Sequence, residues 1–71
     1  MKDYLVVVEK TESGFSAYSP DLPGCISTGK SKQDVESNMR EAIEFHLEGL
    51  RLEGDDVPQP QAYSTYVRVS A

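Results

Sequence analysis

Two side chains of this sequence, Cys25 and His46, could together perform nucleophilic chemistry. A cysteine attacks as the thiolate, and a neighbouring imidazole that takes its proton is the usual means of activating it. The chain has one cysteine and one histidine, and the sequence does not place them side by side. The only cation close to Cys25 along the chain is Lys30, so nothing obvious favours the thiolate. We interpret Cys25 as a small buried residue and His46 as a packing or interface residue.

The sequence does not supply the set of ligands that a metal site needs. A structural zinc ion needs about four nitrogen or sulfur ligands, and one cysteine with one histidine cannot supply them. The chain has 12 acidic residues, but a metal-dependent nuclease requires carboxylates that converge from the sheet on a shared ion. Asp3 and Glu9 stand at the two ends of the first apolar run, and the last run has no acid. We therefore predict no catalytic residue, no metal site and no cofactor.

The elements that would position these side chains follow the order β-β-β-α-β. Four runs rich in β-branched, aromatic or alternating residues predict strands at Tyr4–Glu9, Phe15–Ser19, Cys25–Thr28 and Ala62–Val69. The first of these runs is apolar on both faces, which is typical of a central strand. One long amphipathic helix lies between the third and fourth runs. The order predicts a two-layer α+β domain spanning residues 1–71, with the helix packed across the sheet.

The helix has clear boundaries. Ser31 is a good N-cap with Asp34 three residues later, and Gly54 marks the end. Apolar residues recur every three or four positions and predict one buried stripe. That stripe comprises Val35, Met39, Ala42, Ile43, His46, Leu47 and Leu50, and the opposite face carries Glu36, Arg40, Glu44, Glu48 and Arg51.

The loop Pro20-Asp21-Leu22-Pro23-Gly24 joins the second and third predicted strands. Its two prolines fix φ and restrict the residues that precede them, so the loop should be stiff. Two interpretations stay open. The loop is either a rigid connector whose Leu22 tucks under the sheet, or a preorganised edge that binds a partner at low ordering cost.

Size and charge point to protein partners. A chain of 71 residues is near the lower limit for a stable core, and without disulfides or metal it needs another subunit, so we expect a homodimer or higher homo-oligomer. The net charge of −5 opposes nucleic-acid binding and suits a basic protein. We expect a cytoplasmic protein, because no signal peptide or membrane-length apolar run is visible and the cysteine is unpaired.

Several of these motifs, in this order, resemble the HicB-like antitoxin family. The resemblance rests on the string from Tyr18 to Cys25, on Gly29-Lys30-Ser31 followed by Asp34-Val35, on the helical stretch from Ala42 to Leu50, and on the segment from Asp55 to Pro60. It covers nearly the whole chain.

The resemblance implies a partial ribonuclease H-like fold without that fold's catalytic acids. It also implies a non-enzymatic role as the antitoxin that neutralises a HicA-like toxin, a small basic ribonuclease that cleaves messenger RNA, by covering its active surface. Many family members continue into a DNA-binding module, and we expect no direct DNA binding by this chain. We predict partner contacts at Asp21, Leu22, Pro23, Glu44 and Glu48.

Two alternatives belong to other functional classes. The fold resemblance and the many carboxylates are compatible with a vestigial or active ribonuclease H-like, metal-dependent nuclease. The small size is also compatible with a free-standing oligomeric domain that binds a small ligand between subunits.

Overall fold

A computed structural model describes all residues from 1 to 71. Three short strands, β1 (Val7–Lys10), β2 (Phe15–Tyr18) and β3 (Ile26–Gly29), precede one long helix, α1 (Lys32–Leu52). The strands form one antiparallel sheet in the order β1-β2-β3. The α+β class, the three-stranded meander and the helix were predicted and are confirmed.

The register of the sheet assigns its two faces. Val7 pairs with Tyr18, which pairs with Ile26, and the next row is Val8, Ala17 and Ser27. Ala17 is buried, so its row faces α1, which lies over β3 and β2. Because neighbouring residues of a strand point to opposite faces, the row of Val7, Tyr18 and Ile26 lies on the outer face of the sheet.

The predicted ends of the helix are confirmed. The Ser31 hydroxyl accepts a hydrogen bond of 3.0 Å from the Asp34 backbone N–H, which satisfies one of the unpaired donors of the first turn. At the other end Gly54 has a φ of +76°, the left-handed conformation that commonly follows a helix. The start of α1 packs closely on β3, since a Cβ on Gly29 would lie 2.5 Å from the Val35 backbone nitrogen.

The hydrophobic core is small. Five apolar residues are buried and form one cluster, comprising Ala17, Leu22, Cys25, Val35 and Met39. Tyr4, Val6 and Phe15 from the sheet side, and Ala42, Ile43 and Leu47 from the helix, pack around that cluster and are half-buried. The helical stripe predicted from the sequence therefore supplies much of the core.

The loop between β2 and β3 folds as consecutive tight turns. The Leu22 N–H donates to the Ser19 carbonyl at 3.1 Å, and the Cys25 N–H donates to the Leu22 carbonyl at 3.0 Å. Gly24 takes a φ of +82°, which a residue with a Cβ rarely adopts. This local hydrogen bonding turns the Leu22 side chain into the core.

The predicted strand at Ala62–Val69 does not join the sheet of its own chain. Residues 55–71 contain no helix or strand, and their first part is fixed to the body of the protein. The Tyr4 hydroxyl donates to the Pro58 carbonyl, and the Asp21 carboxylate accepts the backbone N–H groups of Gln61 and Ala62, each at 3.0 Å. Beyond this clamp every residue is exposed. A strand exists only where a second strand pairs with it, and residues 62–69 pair with no strand of this chain.

Candidate functional site

The residues predicted to contact a partner occupy different environments. Leu22 has no solvent exposure and belongs to the core, so its burial supports the connector interpretation of the loop. Asp21 is half-buried, and one of its carboxylate oxygens holds the backbone of Gln61 and Ala62. Pro23 is exposed at the surface.

Cys25 and His46 do approach the same region, although they do not form a reactive pair. Both line one open groove, but no hydrogen bond joins them. Cys25 is buried, and its removal from water raises the pKa of the thiol. Burial therefore keeps the thiol protonated, which is unfavourable for a nucleophile.

One side of α1 presents acidic and apolar residues together. Glu41, Glu44 and Glu48 are exposed, as are Phe45 at 81% and Leu52 at 80%. Their spacing of three or four residues places them on a single side of the helix. We call this set the acidic helix face. It contains two of the predicted contact residues, Glu44 and Glu48, next to the exposed aromatic ring of Phe45.

An open groove borders the acidic helix face. Its volume is about 420 Å³, and it lies between the beginning of β3 and one flank of α1. The lining residues are Gly24, Cys25, Ile26, Ala42, Phe45, His46, Gly49, Leu50 and Glu53.

Two features make this groove unusual for a domain surface. Ile26 is 70% exposed, although it is an isoleucine in a strand. Gly49 lies inside α1, where glycine costs about 1 kcal/mol relative to alanine, and a Cβ added there would meet no atom within 4 Å. The fold of the single chain therefore does not require a glycine at this position. A bare helix surface is useful where another chain approaches the backbone closely.

The carboxylates do not converge. No group of three or more histidine, cysteine, aspartate or glutamate side chains is placed to hold a metal ion. The acids of the helix point into solvent, where they create a negative surface rather than a coordination site. The structure also contains no helix that combines the length and the apolar character of a membrane span.

Comparison with known proteins assigns the family. A family model described as "HicB_like antitoxin of bacterial toxin-antitoxin system" matches residues 4–70. This chain belongs to the HicB-like antitoxin family. The HicB-like chain is also similar to a solved structure titled "HicA3 and HicB3 toxin-antitoxin complex", with a TM-score of 0.73 and 37% identity over 83% of this chain and 70% of the other.

Curated relatives come from distant sources. The HicB-like chain is 33% identical over 64 residues to an uncharacterized 14.9 kDa protein of Haemophilus phage HP1, a match that covers 90% of this chain and 48% of the phage protein. It is 35% identical over 60 residues to a UPF0150 protein of Thermoplasma acidophilum, which covers 83% of this chain and 87% of that protein. The chain thus spans about half the length of the phage relative.

Sequence reasoning missed the apolar members of the helix surface. The sequence did contain a signal for Phe45 and Leu52, because both are large apolar residues that fall outside the stripe that packs on the sheet. A large apolar residue on the polar side of an amphipathic helix has no partner in its own chain. Ile26 and Gly49 gave no comparable signal. Ile26 is exposed because its row of the sheet lies on the outer face, and the open space beside Gly49 depends on how α1 packs on the sheet.

Proposed function

We propose that this HicB-like chain binds and neutralises a HicA-like toxin by covering the surface with which the toxin cleaves messenger RNA. The observation that carries the proposal is the similarity in sequence and structure to a protein solved in a toxin–antitoxin complex. In this proposal the chain acts as a binding protein and not as an enzyme, and it works where messenger RNA is translated, in the cytoplasm.

The acidic helix face is the surface best suited to such a partner. The chain carries a net charge of −5, and three of its acids lie around Phe45 and Leu52 on one side of α1. A ribonuclease that binds RNA has a basic surface, and a negative surface steers it into contact. Exposed aromatic rings surrounded by polar groups are typical of the residues that dominate binding energy once they are buried.

The groove extends this surface toward the sheet. Phe45 belongs to both, and Ile26 and Gly49 line the groove on β3 and α1. We propose that an apolar side chain of the toxin enters the groove, while basic residues meet Glu44 and Glu48. Pro23 and the neighbouring loop form the rim of this contact. Asp21 and Leu22 support it from inside by fixing the loop.

Binding measurements with purified HicA-like toxins from the same genome test the proposal. The Phe45→Ala variant should bind about 30- to 100-fold more weakly, as expected for the truncation of a central aromatic contact, while its thermal unfolding stays unchanged because the ring is exposed. The double variant Glu44→Lys with Glu48→Lys should associate more slowly and lose most of the dependence of association on salt.

A matched control separates local charge from net charge. Glu12→Lys with Asp56→Lys changes the net charge by the same amount, but Glu12 lies between β1 and β2 and Asp56 lies beyond the end of α1, so both are exposed residues outside the acidic helix face. This control should bind and inhibit the toxin almost as well as the wild-type chain. The proposal fails if no HicA-like toxin is bound and inhibited in an assay of messenger RNA cleavage. Equal losses in the two double variants would show instead that net charge, and not the acidic helix face, is responsible.

A further inference from the structure

The segment from Tyr63 to Ser70, which we call the arm, has no partner in its own chain. Its large side chains are almost fully solvated, with Tyr66 at 100% exposure and Tyr63, Val67 and Val69 also exposed. The sequence of the arm is rich in the β-branched and aromatic residues that favour strands. Eight residues in the extended conformation of a strand span about 26 Å. The arm is therefore a strand in composition that lacks a neighbour.

The overall dimensions show how far the arm extends from the body. The radius of gyration is 13.8 Å and the longest dimension is 48 Å, against 27 and 19 Å for the others. A compact domain of this length would have a radius of gyration of about 11 Å. The accessible surface is 5967 Å², whereas a compact folded chain of this mass exposes about 4,400 Å². The excess of about 1,600 Å² exceeds the roughly 800 Å² that each partner buries in a standard interface.

The strand β1 also lacks a neighbouring strand on one of its two sides. It pairs only with β2 and so leaves one edge of its backbone free. Its sequence from Tyr4 to Val8 is apolar on both faces, as in strands with neighbours on each side. The charges that normally protect an edge strand are confined to the end of β1, at Glu9 and Lys10, and Val8, which faces the helix layer, is 37% exposed. From Tyr4 to Val8, the free edge of β1 therefore resembles the edge of a strand that pairs with a further strand.

Hydrogen bonds fix the base of the arm to the body of its own chain. The Asp21 carboxylate holds the N–H groups of Gln61 and Ala62, and the rings of Pro58 and Pro60 fix φ on the approach to this point. Exchange of an identical element between two copies is a low-cost route to a dimer, and short or strained hinge segments favour it.

We propose that the arm of one chain pairs with the free edge of β1 of a second copy, and that the second copy returns its own arm in the same way. Each sheet then has four strands, and β1 becomes the central strand that its sequence indicates. Charge also favours a second copy as the partner. The arm carries only Arg68, a net charge of +1, whereas residues 1–62 carry −6. A basic toxin would repel the arm, and the acidic body of another copy attracts it. The inference does not depend on toxin binding.

The mass of the full chain in solution, measured by light scattering, is the first test. The wild-type chain should have twice the mass of 7.9 kDa at micromolar concentration. The Val67→Pro variant should be monomeric with unchanged helical circular dichroism, because Val67 contributes no hydrogen bond within its own chain and proline cannot donate to a strand ladder. The control Ala71→Pro places the same substitution just beyond the arm and should stay dimeric. A monomeric wild-type chain, or a dimeric Val67→Pro variant, would overturn the inference.

A mixing experiment distinguishes exchange from closure within one chain. The Val8→Lys variant keeps its arm but has a charged edge, and the Val67→Pro variant keeps its edge but cannot donate its arm. Each alone should be monomeric, and an equimolar mixture should form a heterodimer. No heterodimer would form if each arm paired with its own β1. If Val8→Lys does not fold, isotope-filtered NMR on a mixed labelled and unlabelled wild-type dimer replaces it: contacts between the arm and β1 must then appear between chains and not within one.

Discussion

Replacing Leu22 by alanine decides whether the Pro20–Gly24 loop is part of the core or a binding edge. Leu22 has no solvent exposure and packs in the cluster with Val35 and Met39. Removing such a side chain costs the transfer energy of the lost methyl groups and leaves a cavity, together about 2–5 kcal/mol. A domain of this length has a total stability of about 4–10 kcal/mol. The Leu22→Ala variant should therefore lose at least about a fifth of its stability, and all of it if the total lies at the lower end of this range.

Urea denaturation followed by circular dichroism of α1 at 222 nm measures this loss. The neighbouring Pro23→Ala variant is the control, because Pro23 is exposed and its replacement should change stability by less than about 1 kcal/mol. Toxin binding by folded Leu22→Ala should be close to that of the wild-type chain once the unfolded fraction is subtracted. A loss of stability below about 1 kcal/mol, combined with a large loss of toxin affinity, would refute the placement of Leu22 in the core.

Two further predictions concern Gly49 and Cys25. Gly49→Ala should stabilise the chain by up to about 1 kcal/mol, because the new methyl group meets open space, and it should weaken toxin binding, because the methyl group narrows the groove. A thermal melt measures the change in stability, and a binding isotherm measures the change in affinity. A gain in both stability and affinity would contradict the proposed binding of the toxin in the groove. Burial raises the pKa of the Cys25 thiol above its ordinary value of 9.0, so Ellman's reagent at pH 8 should react much more slowly with the folded chain than with the chain in urea. The raised pKa also means that the free energy of unfolding should fall as the pH rises above 9, where only the unfolded thiol ionises. Equal rates of thiol reaction in the folded and the urea-unfolded chain would contradict the burial of Cys25. A Cys25→Ala variant whose free energy of unfolding falls equally above pH 9 would contradict the role of the thiol in the loss of stability.

The helix and the meander were predictable because their signals are local. The Ser31 cap, the apolar spacing from Val35 to Leu50 and the stop at Gly54 all act within a few residues of where they occur in the sequence. The turn at Gly14 between β1 and β2 is a signal of the same kind. These features determine one helix and one antiparallel sheet, and the structure contains both.

The Pro20–Gly24 loop and the last predicted strand depended on contacts that are distant in sequence. The burial of Leu22 follows from turn hydrogen bonds and from a space beneath the sheet that α1 creates, which no local pattern reports. The strand composition of residues 62–69 was recognisable, but the hydrogen bonds that fix the start of this segment join residues 40 and 41 positions apart. Composition can indicate that a segment will be a strand, and it cannot indicate which chain supplies the neighbouring strand.

Neighbouring residues of the Pro20–Gly24 loop have different structural roles. Asp21 fixes the base of the arm, Leu22 fills the core, and the turns that place both are closed by Gly24. A loop with these internal tasks cannot also change shape freely to fit a partner, because any movement would disturb the core and release the arm. In the proposed complex the main contact is therefore expected on a rigid surface whose side chains have no role in the core. The acidic helix face meets both conditions, since α1 holds it in place and Phe45 and Leu52 contribute little to the fold. The loop that is most distinctive in the sequence thus fixes the base of the arm and supplies Leu22 to the core, and in the proposed complex the helix makes the main contact.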